Sequence, residues 1–343
     1  MPEWIGMTLF WILLYGYIIV ASVDFGAGFF ASYETLYGER NGLGEIIQQF
    51  LSPFWESISV GLLVIMMAIV YSFSDAARLL GPTLIMPFVF ALILLILKGL
   101  FFLLSRTHRK GFRLWTLLYG LIGLCLPAVL SSALTVSEGG YLDDQKGRLI
   151  FHWSLFLTNF YAWSVVFLSI VSVLYISAMF LAFYATKVKD DLALEKLRGY
   201  ALFWSGPTVL ASALVFVALQ QQNPEHFMKS LDEAWMFILS LVCLLGAVTL
   251  VFRKIRLGVA FILAALQYFF AFFGYGISHL PYIIYPYIKV KELSSLHGIR
   301  ADIYFAFIMG LALLFPSLIL VFRLVRFRHD YGKKDDTKHK EKA

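Results

Sequence analysis

Charge is scarce in this 343-residue chain: Asp, Glu, Lys and Arg make up only 15% of it, against 60% hydrophobic residues. A water-soluble domain with that balance would lack the polar surface to cover itself. Cysteine is nearly absent. Cys125 and Cys243 both lie deep in apolar runs, read as small core residues, and suggest no disulfide, haem attachment or metal pair. Histidine is missing from the middle of every apolar run. His108, His329 and His339 fall in one set of loops and the tail, and His152, His226, His279 and His297 lie in or beside the loops of the other side. A membrane haem normally takes its axial imidazole from mid-helix, so the chain is expected to ligate no haem and no metal. Met66, Met67, Met86, Met179 and Met309 fall within runs and read as packing residues. No phosphate-binding glycine loop or soluble lobe accompanies Asp24-Phe25-Gly26, which excludes a kinase-type reading of that triplet.

What is present is a series of apolar runs of about 20 residues, each long enough to cross a hydrocarbon core. Their continuous apolarity excludes a β-barrel, whose strands alternate. Nine spans are expected, at roughly 4–31, 53–73, 79–104, 114–136, 153–184, 203–220, 234–252, 255–278 and 303–325. The fold class is therefore all-α and polytopic, with a helical membrane domain over 1–328 and a basic, disordered cytoplasmic tail over 329–343. Met1-Pro2-Glu3-Trp4 lacks the basic flank of a cleaved signal peptide, so the first run is expected to stay as an anchor. Twenty Lys and Arg residues fall in the loops of one side and the tail, against seven in the other loops. By the positive-inside rule the amino terminus is outside and the tail cytoplasmic.

Three ionisable residues break the apolar pattern. Asp24 lies late in the first run, Glu56 opens the second after Ser52-Pro53-Phe54-Trp55, and Lys98 lies late in the third. The expected topology puts all three in the cytoplasmic half. A carboxylate in hydrocarbon costs about 2.5–3.5 kcal/mol on insertion scales, so such residues serve pairing or proton handling. Asp24, Glu56, Ser59 and Lys98 are the proton-path candidates. The structural alternative pairs Asp24 with Lys98, and gives Glu56 a favourable place in a first helical turn. Gly26 and Gly28, close after Asp24, would let another helix backbone approach. No catalytic residue is assigned. A proton-coupled secondary transporter using Asp24, Glu56 and Lys98 as its coupling site is the competing reading, although no interrupted helix pair is evident.

Val23-Asp24-Phe25-Gly26-Ala27-Gly28 resembles the Gly-Phe-Asp-x-Gly-x-Gly signature of subunit II of cytochrome bd quinol oxidase, and Ser52-Pro53-Phe54-Trp55-Glu56 resembles its Pro-His-Trp-Asp segment. Tyr285-Pro286-Tyr287 after the eighth run is a further likeness. Phe54 stands where that family has histidine, and Ile58, Ser59 and Gly61 replace its usual Asn-Gln and Trp. The resemblance implies two four-helix bundles plus one peripheral helix. It also implies a haem-free subunit in the bacterial or archaeal plasma membrane. Its partner would be a subunit I carrying haems b and d, sometimes with a very small third subunit. Quinol and dioxygen would be substrates of the complex, with protons taken from the cytoplasm and no role for nucleic acid.

Overall fold

The computed structural model describes residues 3–37, 47, 61, 74–107, 112–145, 148–286 and 288–289. Nine helices occur among them: α1 (Glu3–Tyr37), α2 (Ser74–Thr107), α3 (Phe112–Ser137), α4 (Trp153–Thr158), α5 (Phe160–Val188), α6 (Asp191–Gln222), α7 (Pro224–Asp232), α8 (Ala234–Phe252) and α9 (Leu257–His279). Seven contain stretches long and apolar enough to cross a membrane; α4 and α7 are too short. The expected spans at 53–73 and 303–325, and the tail, lie outside the described residues. Two small antiparallel hairpins interrupt the helices, β1 (Leu142–Gln145) with β2 (Arg148–Phe151) and β3 (Tyr282–Ile284) with β4 (Ile288–Lys289).

Two helix starts differ most from the hydropathy pattern. The run expected at 153–184 divides at Asn159, which is extended (φ −83°, ψ 130°) and accepts the Ala162 N–H through its side chain at 3.1 Å. That cap satisfies a backbone donor that α5 would otherwise leave open, so a new helix starts there. The run expected at 203–220 begins instead at Asp191, because Asp190 caps Ala193 N at 2.9 Å. Asp191, Glu195, Lys196 and Arg198 lower the hydropathy of the first turns without opposing the helix. Lys254, in the turn after α8, reaches Glu195 at 2.6 Å, and Arg198 donates to the Phe252 carbonyl at 3.0 Å.

Contacts among α5, α6, α8 and α9 close on themselves as a four-helix group, with α5 against α6 and α9, and α8 against α6 and α9. α1 and α3 pack against the other side of α5, and α2 packs on α3. α5 is thus the shared wall, with Leu174, Tyr175, Ile176, Ser177, Ala178 and Met179 all buried. The early half of α1 meets α9 through aromatic rings, Tyr15 edge-on to Phe269 at 5.4 Å, and the Tyr15 hydroxyl donates to the Ala265 carbonyl at 2.7 Å. Large apolar side chains such as Ile96, Leu103, Phe203 and Ile238 stay exposed around the outside. That surface suits hydrocarbon or a membrane partner, and would be a liability in water.

Candidate functional site

The deepest charges form a pair. Lys98 of α2 is fully buried, donates to Asp24 Oδ2 of α1, and has its ammonium over the rings of Phe25 (4.9 Å) and Tyr119 (5.4 Å). Asp24 is equally enclosed, and its Oδ1 has no hydrogen-bond partner among the described residues. Two opposite charges in contact offset part of the cost of removing each from water, and the aromatic faces add cation–π attraction. An unfilled carboxylate oxygen in such a place is the atom a proton or a water would meet.

The backbone around Asp24 is held by close helix approach. The Val23 carbonyl accepts from Ser177 Oγ of α5 at 3.1 Å. A Cβ added at Gly26 would meet the Ser177 Cβ at 2.4 Å and the Val173 carbonyl oxygen at 2.7 Å. At Gly28 it would meet the Tyr119 ring of α3 at 3.2 Å. The two glycines therefore sit where α1 touches α5 and α3. Glu56 and Ser59 lie outside the described residues.

Three turns beyond Asp24, toward the end of α1, a second buried acid appears that hydropathy does not single out. Glu34 accepts from the Tyr200 hydroxyl at Oε1 and stands 3.5 Å from Lys196 Nζ at Oε2, both partners on α6. Lys196 is about one-third exposed, so this pair connects the interior with the end of the molecule. Ser32, between the two acids in sequence, donates to the Gly28 and Thr116 carbonyls. Glu34 sits beyond the expected span end at residue 31, where a charge in sequence reads as an ordinary flank.

At the other end of α3 lies a third group that linear spacing does not bring together. Glu138 follows α3, His226 belongs to α7 and His279 ends α9; all three are buried, with their ligand atoms within 4.8 Å of one another. Glu138 Oε1 faces His226 Nδ1 at 2.7 Å, His279 Nδ1 at 3.3 Å and the Tyr275 hydroxyl, while Oε2 accepts from Asn223 Nδ2 at 2.9 Å. Burial alone would raise the Glu138 carboxyl. Hydrogen bonds and charge from His226 and His279 outweigh it and hold the acid well below the usual carboxylate range. Gly139 (φ +74°) and Gly140 (φ +83°) make the turn behind it, where a Cβ at 139 would meet the Tyr285 carbonyl oxygen at 2.1 Å.

Fold and sites together define a polytopic all-α membrane protein that keeps paired ionisable groups buried among its helices. The family model of cytochrome bd terminal oxidase subunit II matches residues 2–325, and the chain belongs to that family. It is similar to the putative cytochrome bd menaquinol oxidase subunit II of Bacillus subtilis (strain 168), at 27% identity over 343 residues, covering 97% of this chain and 98% of the relative. Its fold matches a chain of the solved bd oxidase from Geobacillus thermodenitrificans with a TM-score of 0.80 and 41% identity, over 95% of this chain and 98% of that one. The chain is thus a multi-pass membrane subunit of a bacterial bd-type quinol oxidase, a quinol:oxygen oxidoreductase, and membership implies a subunit I partner.

Proposed function

We propose that this chain stabilises a haem-bearing subunit I and carries protons toward it from the Lys- and Arg-rich side of the membrane. The observation that carries the reading is the enclosed Asp24–Lys98 pair with Oδ1 unfilled. Oδ1 can accept a proton, which turns Asp24 into a neutral acid whose Oδ2 still accepts from the Lys98 ammonium. Glu34 supplies an acid nearer the same end, with Lys196 at its mouth. Ten residues of helix separate the two acids, about 15 Å, so the step between them needs bridging water or further polar groups. Glu56 and Ser59 remain candidates for that stretch. In this reading the amino terminus faces outward, the haems b and d belong to subunit I, and a very small third subunit completes some complexes. The B. subtilis relative is named for menaquinol, and we extend that substrate class to the complex that holds this chain.

Electron transfer and oxygen chemistry are supplied by the haems of the partner. This chain's residues hold helices, exclude bulk water and present a proton-accepting oxygen. In the complex purified with its partner, Asp24→Asn, Glu56→Gln and Glu34→Gln are expected to slow oxygen reduction at least severalfold with the haem spectrum intact. Unchanged turnover in all three would falsify the path. Loss of assembly in Asp24→Asn, relieved when Lys98→Met is added, would assign Asp24 the structural role of balancing the Lys98 charge. α1 and α2 run unbroken through Asp24 and Lys98, so these two described members of the transporter's coupling site do not sit at a helix break.

A further inference from the structure

The Glu138 group gathers three polar side chains on a single buried carboxylate oxygen. A carboxylate oxygen offers two lone pairs, yet Oε1 of Glu138 is faced by three groups, His226 Nδ1, His279 Nδ1 and the Tyr275 hydroxyl. The second nitrogen of His226, Nε2, lies 2.8 Å from Ser278 Oγ and 3.2 Å from the Tyr275 carbonyl oxygen. Ser278 Oγ itself donates to that carbonyl at 2.9 Å, and a carbonyl only accepts. With the Ser278 hydroxyl on that carbonyl, a neutral His226 carries its proton on Nε2; with the hydroxyl turned to Nε2, the proton sits on Nδ1 and bonds Glu138. In the first of these tautomers Nδ1 turns its lone pair toward a carboxylate oxygen 2.7 Å away, an arrangement that a cation bridges.

A cation suits that arrangement, because the ligand atoms of Glu138, His226 and His279 all lie within 4.8 Å of one another and all three residues are buried. An imidazole whose far N–H is fixed by a backbone carbonyl, with its near nitrogen turned to a carboxylate and a second imidazole, is the usual dressing of a metal ligand. Donors about 2.0–2.1 Å from a tetrahedral ion stand about 3.4 Å apart. His279 Nδ1 is already 3.3 Å from Oε1, and His226 Nδ1 needs to open by about 0.7 Å to match. His279 Nε2, buried and without a hydrogen-bond partner among the described residues, leaves that ring no competing anchor. Two imidazoles and one carboxylate form a nitrogen–oxygen donor set of the zinc class, and leave the fourth position to water or the Tyr275 oxygen.

We propose that Glu138, His226 and His279 bind one divalent transition-metal ion, zinc by preference, which ties together the end of α3, the short helix α7 and the end of α9. The three ligands come from segments that β1, β2 and four intervening helices separate in sequence. The ion clamps one end of the molecule, roughly 33 Å along α3 from Thr116 near the acid-bearing end. It is a structural site, enclosed by protein, and it stands independently of the proton path.

The test uses the complex purified with its partner, first without chelator and then after chelation and loading with zinc sulfate. Zinc, copper, manganese and iron are measured by mass spectrometry against haem, so that haem iron is subtracted. About one non-haem ion per complex is expected, falling at least tenfold in His226→Ala and in His279→Ala but not in His152→Ala, a histidine outside the group. Cobalt loading of the unaltered complex gives a readout that needs no variant, namely visible ligand-field bands of a four-coordinate site. Less than a tenth of an ion per complex after zinc loading, no such cobalt bands, or full retention of metal in both histidine variants overturns the proposal.

Discussion

At the scale of single residues, the charges inside this protein are explained by their neighbours rather than by their number. Asp24 and Lys98 compensate each other, so the expensive step is to remove one and leave the other. Lys98→Met alone is expected to destabilise the complex by about 3–5 kcal/mol, because it strands a carboxylate among apolar side chains. Adding Asp24→Asn should recover much of that loss, and thermal unfolding of the single and double variants measures the coupling. Equal destabilisation in both would mean that the pair contributes packing and no electrostatic balance. Asp24 and Lys98 were legible in the sequence because each interrupts a long apolar run. Glu34 was not, because it lies just past the span end, where its burial depends on Tyr200 and Lys196 from a helix far along the chain.

At the scale of elements, close approach of α1 to α5 rests on missing side chains. Gly26→Ala forces a methyl group toward the Val173 carbonyl oxygen, a backbone atom that cannot turn aside, and overpacking of this kind costs about 1–3 kcal/mol. Gly199→Ala in α6 meets open space within 4 Å and should be neutral or stabilising by up to about 1 kcal/mol. Comparing the melting temperatures of the two variants in the purified complex checks the contrast; similar losses in both would place the effect in helix propensity rather than in contact. The helices themselves were legible from apolar length, but their starts were not where Asn159 and Asp190 decide them. A capping side chain adds no hydrophobicity, so a hydropathy window passes over it. The hairpins and α7 escaped for the related reason that they are short and lie outside the apolar runs.

At the scale of the whole molecule, Lys and Arg counts give a direction that side-specific chemistry can check. A cysteine in place of Lys187, near the end of α5, is expected to resist a membrane-impermeant maleimide added to intact cells. One in place of Glu225, in α7, should react with it. The reverse pattern would invert the proposed proton entry as well. The Glu138 group shows the limit of linear reading: its histidines looked like loop residues, and only the folding of α3, α7 and α9 to one end places them on a single carboxylate.

The shared wall α5 also sets an order in time. A chain emerges from its amino end, and α1 to α3 are made before α5 exists. Asp24 can find Lys98 within that first group, 74 residues away, whereas the Val23 carbonyl must wait for Ser177, 154 residues on. The costly charges can therefore be neutralised early, with Gly28 against Tyr119 of α3, while Gly26 waits for Ser177 and Val173 of α5. The ion pair is available within the first three helices, and the contacts of α1 with α5 and then α9 close after it.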